Sequence, residues 1–132
     1  MRAAWVILLC ALGCATTGQA PPGSSPRITV SEPGGRATLT VGQELAVELR
    51  TNITTGYRWE LVPPVPEVVT VIDPGSYSAA PGSEGRVGAG GTTLFVFRAV
   101  QPGKGEVNLA YRRPWETDVA PARTVRFDVE VR

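Results

Sequence analysis

The sequence predicts an all-β domain, a two-sheet sandwich of seven to eight short antiparallel strands. Three observations carry this. Apolar residues recur at every second position in four long stretches, which is the period of a half-buried strand and not the 3.6 of a helix. Turn-formers are abundant, with 15 Gly and 12 Pro in 132 residues, and they cluster between the apolar stretches. No segment carries a helical apolar stripe.

The strands follow in chain order. Residues 28–31 and 37–41 are short candidates. Leu45, Val47 and Leu49 then alternate with Glu44, Ala46, Glu48 and Arg50. Tyr57, Trp59 and Leu61 alternate with Arg58 and Glu60. Residues 68–72 and 92–100 are further candidates. Val107, Leu109 and Tyr111 alternate with Glu106 and Asn108, and Val125, Phe127, Val129 and Val131 with Thr124, Arg126, Asp128 and Glu130. Each alternation turns one face to a core and the other to water. The separators are Pro33-Gly34-Gly35, Val41-Gly42-Gln43, Pro63-Pro64, Asp73-Pro74-Gly75 and Pro102-Gly103-Lys104-Gly105. This spacing describes an immunoglobulin-like sandwich. No cysteine is placed to bridge its sheets, so packing alone must hold the core, and Trp59 is expected at its centre.

Composition narrows the function. Arg2 is the only charge before Cys14, so without residues 1–13 the chain has 12 basic and 12 acidic residues. No basic run exists, which argues against nucleic-acid binding. The chain has no histidine, and its two cysteines, Cys10 and Cys14, lie near its start. The folded part therefore lacks a Ser-His or Cys-His pair and any imidazole or thiolate metal site. No enzyme activity, metal or cofactor is expected. The acids Glu44, Glu48, Glu60, Asp128 and Glu130 fall at polar strand positions, which reads as a solvated face.

Residues 1–13 read as a signal peptide. Met1-Arg2 is a short positive start and residues 5–12 an apolar segment, too short for the about 20 residues that span a bilayer. It ends in Ala11-Leu12-Gly13-Cys14, which resembles a bacterial lipobox with its first two positions exchanged. Cys14 is then the lipidated first residue, and the other reading is an ordinary secretory signal cleaved nearby. Residues 14–27, rich in Thr, Gly, Pro and Ser, read as a flexible linker to a domain at 28–132. Ala15 follows Cys14 where Asp would signal retention, so a cell-envelope location with outer-membrane sorting is expected.

Three inter-strand segments do not read as ordinary turns. They are Asn52-Ile53-Thr54-Thr55-Gly56-Tyr57, Gly88-Ala89-Gly90-Gly91 and Arg113-Pro114-Trp115-Glu116. In an immunoglobulin-like order they are the B–C, D–E and F–G connections, which emerge at one end. Thr and Gly make a thin loop, and Gly56 would permit a backbone angle that a Cβ resists. A glycine run lets another backbone approach. Trp beside Arg is a hot-spot composition, and Pro114 stiffens its loop. Taken singly, each segment has a plainer reading: a β-turn, a flexible loop, a Trp folded onto its own core.

Together, and in this order, they resemble the chagasin family of cysteine-protease inhibitors, over about residues 37–132. That family is marked by N-P-T-T-G-Y/F, G-x-G-G and R-P-W/F loops on an immunoglobulin-like sandwich. The resemblance implies a monomeric inhibitor that blocks papain-like cysteine proteases non-covalently. Asn52 to Tyr57 would cover the catalytic cysteine and histidine, with Thr54 and Thr55 closest. Gly88 to Gly91 would pair along the unprimed side. Arg113 to Trp115 would cover the primed side. The alternative function is a non-inhibitory envelope module for adhesion or assembly. Ile53 stands where the family has proline, which would fix φ at about −65°. Two readings stay open: a looser loop that weakens binding by about 0.4–1 kcal/mol, or an added apolar contact.

Overall fold

The computed structural model describes residues 27–32, 34–83, 86 and 88–132. The signal peptide, Cys14 and the linker up to residue 26 lie outside them. Arg27, read as the last linker residue, instead opens the first strand.

Eight strands form two four-stranded sheets: β1 (Arg27–Ser31), β2 (Gly34–Leu39), β3 (Glu44–Thr51), β4 (Arg58–Val62), β5 (Val69–Ala79), β6 (Gly91–Ala99), β7 (Gly103–Arg112) and β8 (Arg123–Val131). One sheet has the order β1-β3-β6-β5 and the other β2-β8-β7-β4. This is the sandwich the alternation predicts. Direction alternates along the chain, so neighbours of unlike parity pair antiparallel. The edge pairs β1–β3 and β2–β8 are of like parity and run parallel, which departs from the wholly antiparallel expectation. The same alternation puts the β1–β2, β3–β4, β5–β6 and β7–β8 connections at one end.

The core lies where the inner faces meet. Leu45 is in register with Phe97 and Val47 with Phe95, while Val107 is in register with Phe127 and Leu109 with Val125. Phe95, Phe97 and Phe127 are the largest fully buried side chains, each stabilising the fold by about 1.5–3 kcal/mol. Trp59 is 6 % exposed and belongs to this core, but it does not sit at its centre. It is the second residue of β4, so it closes the core at the loop end.

Two further expectations are corrected. Asp73-Pro74-Gly75 does not end a strand: β5 runs through it with register shifts at Val71/Asp73 and Pro74/Ser76, because bulges absorb the proline and glycine on an edge strand. Glu44 is not on a solvated face. It is 7 % exposed and lies 3.4 Å from Arg27 and 3.8 Å from Arg98, which supply the charge partners burial requires.

Candidate functional site

The β3–β4 connection is held by its own polar groups. β3 ends at Thr51, whose buried hydroxyl meets that of Thr93 at 2.6 Å. Asn52 then caps a 3-10 turn over Ile53–Thr55. Its Oδ1 accepts from the Thr54 N–H at 3.2 Å and from the Thr54 hydroxyl at 2.6 Å. The Thr55 hydroxyl donates to the Asn52 carbonyl at 2.8 Å. Gly56 closes the turn at φ 82°, donating to the Ile53 carbonyl at 3.1 Å. This left-handed backbone is the angle expected at Gly56. Asn-x-Thr-Thr-Gly is therefore a self-capping unit, and Ile53, Thr54 and Thr55 stay exposed at its apex.

Aromatic rings and arginines form its base. The Tyr57 ring stacks on Tyr111 at 5.2 Å, and Trp59 packs on the same tyrosine at 5.0 Å. Arg113 lies 4.5 Å over Tyr57, while Arg123 lies 4.6 Å over Tyr111 and 5.2 Å over Trp59. The Tyr111 hydroxyl accepts from the Asn52 N–H at 3.0 Å. Arg123 bonds the Arg50 carbonyl at 3.0 Å and Glu32 at 2.9 Å. Cation–π contacts of this kind contribute about 0.5–2 kcal/mol each. Sequence reasoning placed Tyr111 only as an inward strand residue and did not single out Arg123. The inward alternation of Tyr57, Trp59 and Tyr111 was the signal available for the ring cluster.

The β7–β8 connection leans on the first loop. The Glu116 N–H donates to the Arg113 carbonyl at 3.0 Å, closing a turn around Pro114 and Trp115. Arg113 donates from Nε to the Thr55 carbonyl at 3.0 Å and from an Nη to Glu116 at 3.1 Å. Its guanidinium is thus committed inside the molecule, as a brace between two loops. Trp115 is 68 % exposed, yet the edge of its ring rests against Gly56. A Cβ on Gly56 would lie 3.1 Å from Cζ2 and nearer still to Cη2. Gly56 therefore serves both its own turn and the seat of Trp115.

The glycine loop completes the end. Gly88 and Gly90 have φ of 83° and 74°, and Ala89 is exposed between them. The Gly90 carbonyl accepts from the Ala80 N–H at 3.2 Å. Gly91 belongs to β6, in register with Thr51 on one side and Ala79 on the other. This leaves Gly88, Ala89 and Gly90 outside the sheets. A groove of about 730 Å³ lies between this loop and Asn52, with Tyr111 and Arg123 in its wall. The structure thus brings all three segments to one end. Among the described residues, no group of three His, Cys, Asp or Glu side chains could hold a metal.

Comparison with known proteins shows the family and agrees with the fold. A family model described as Chagasin family peptidase inhibitor I42 matches residues 38–131. The chain is similar to Chagasin of Trypanosoma cruzi, 31 % identical over 96 residues that cover 69 % of this chain and 84 % of that protein. It is 27 % identical over 105 residues to Amoebiasin-2 of Entamoeba histolytica, covering 80 % of this chain and 84 % of that one. Among solved structures it resembles the cysteine protease inhibitor EhICP2 of Entamoeba histolytica, with a TM-score of 0.71 and 24 % identity over 82 % of this chain and 97 % of that one. At that identity the likeness is one of fold.

Proposed function

The chain belongs to the Chagasin family of peptidase inhibitors, and from that premise we propose that it inhibits papain-like cysteine proteases by seating three loops in their active-site cleft. The observation that carries this reading is the joint presentation of the loops: a self-capped central turn, braced by Arg113 on one side and meeting the glycine loop on the other. The narrow Thr54-Thr55 apex enters the cleft over the catalytic cysteine. Gly88, Ala89 and Gly90 run along the unprimed side, where the absence of large side chains lets two backbones meet. Trp115 packs on the primed side.

The block is steric and needs no covalent step. Ordering costs oppose association, and a loop already held by its own hydrogen bonds incurs less of them. No peptide bond of the inhibitor need be presented for cleavage, because the apex is a capped turn and not an extended strand.

Titrating papain or a cathepsin L-like enzyme with the protein tests this. Stoichiometric, reversible loss of activity is expected, and no inhibition at micromolar concentration overturns the reading. We further propose, from the lipobox-like Ala11-Leu12-Gly13-Cys14, that the domain is held on the cell envelope by a lipid on Cys14. Mass spectrometry of the mature N-terminus tests that part, and an unmodified chain beginning elsewhere would refute it.

A further inference from the structure

Arg50 and Arg58 stand at the two stems of the central loop, one leaving β3 and one entering β4. Both are exposed. Among the described residues neither has a carboxylate partner, whereas Arg112, Arg113 and Arg123 at the same end are paired with Glu60, Glu116 and Glu32. The fold does not account for them. Arg58 sits directly across from Arg112 in the β4–β7 register, and opposed like charges destabilise a sheet. Arg50 uses its carbonyl for Trp59 and Arg123, which any residue could supply.

Each arginine also lines a hollow beside the loop. Arg50 borders the 730 Å³ groove that faces the glycine loop. Arg58 borders a second hollow of about 280 Å³, which it shares with Ile53 and Tyr77. A wedge entering a cleft is flanked by the two walls of that cleft, so those walls fill the hollows.

We propose that the target is a peptidase whose cleft carries carboxylates on both walls, and that Arg50 and Arg58 are the specificity-determining residues that meet them. This rests on the inhibitory reading above. The chain from Cys14 onward is balanced in charge, so its net charge cannot steer association. Two unpaired cations beside the inserting loop provide a local field instead, which acts mainly on the association rate and is screened by salt.

The test compares one papain-like peptidase bearing acids on both cleft walls with its variant in which those acids are Asn or Gln. Association with the acidic form should slow about tenfold from low to molar salt. The double variant Arg50→Glu, Arg58→Glu should associate more than about tenfold more slowly at low salt, speed up as salt screens the like charges, and keep its dissociation rate. The amide-walled peptidase should remove the difference between the two inhibitors. Lys104→Glu, at the opposite end of the sandwich, should change nothing. Thermal melts confirm folding, and Arg50→Gln with Arg58→Gln replaces the double variant if reversal unfolds it. Inhibition with equal association rates for wild type and double variant overturns this proposal alone. No inhibition of any papain-like enzyme overturns the reading beneath it and the proposal together.

Discussion

Arg113 reaches from the third loop and donates its Nε–H to the carbonyl of Thr55, 3.0 Å away in the central loop. The same guanidinium covers Tyr57 and bonds Glu116, so one side chain sets the separation of the two loops. Arg113→Ala should leave the sandwich folded and weaken protease binding by about 1 kcal/mol, the scale of a partly exposed charged hydrogen bond. Arg113→Lys should not rescue it, because an ammonium cannot lie flat on Tyr57 while serving Thr55 and Glu116. Faster hydrogen exchange at Gly56 in both variants would mark the loss of the brace. Wild-type affinity with Lys would show that charge alone matters.

Much of this was legible in the sequence, for identifiable reasons. Alternation placed Tyr57, Trp59 and Tyr111 on inner faces, and the order of the three motifs placed them at one end. What alternation could not show is which residues meet across strands. Arg123 lies 73 positions from the Arg50 carbonyl it bonds and lacks any local pattern. Glu44 fits a polar alternation, and only Arg27 and Arg98 on neighbouring strands make its burial tolerable. The β5 bulges hid for the opposite reason. Asp73-Pro74-Gly75 carries the chemistry of a turn, and only the pairing with β6 shows the strand continuing through it.

Trp115 and Gly56 separate binding from folding. Trp115 is 68 % exposed, so Trp115→Ala should change stability by less than about 0.5 kcal/mol and cost about 2 kcal/mol or more in binding. Gly56→Ala should cost stability by about 1–2 kcal/mol, because an L residue is strained in the left-handed region. Its methyl also displaces the Trp115 ring, so affinity should fall as well, although no protease contact is removed. Denaturant melts beside inhibition constants for the two variants distinguish these patterns. Equal stability losses would place Trp115 in the fold and not at the interface.

Asp73, in the bulged part of β5, gives one acid-sensitive point outside the three loops. The Ser76 hydroxyl at 2.7 Å and the Gly75 N–H at 2.9 Å hold its carboxyl below the ordinary aspartate value. A lowered native pKa stabilises the folded state fully above the unfolded value of about 3.9, and that stabilisation is lost as pH falls through the native value. Ser76→Ala should raise the Asp73 pKa toward the ordinary value, as read by carbon NMR of the carboxyl. Inhibition at neutral pH should not change. An unmoved pKa would assign the effect to the backbone donors of Gly75 and Ser76 alone.

Ile53 is the position where stability and affinity should part. Asn52 has φ −123° and ψ 96°, an extended backbone outside the helical region that a following proline disfavours. Ile53 opens the 3-10 turn, where a missing N–H is tolerated, and among the described residues its N–H bonds nothing. Ile53→Pro should therefore raise stability by about 0.4–1 kcal/mol through the unfolded chain. Affinity should not follow. Asn52, Thr55 and Gly56 already fix the loop, so little freedom is left for a proline to remove. What the substitution does remove is an apolar side chain that is 44 % exposed at the apex and free to be buried on binding. A higher melting temperature with unchanged or weaker inhibition is expected. Tighter inhibition that matches the stability gain would mean that loop freedom, and not apolar contact, is what isoleucine brings to this position.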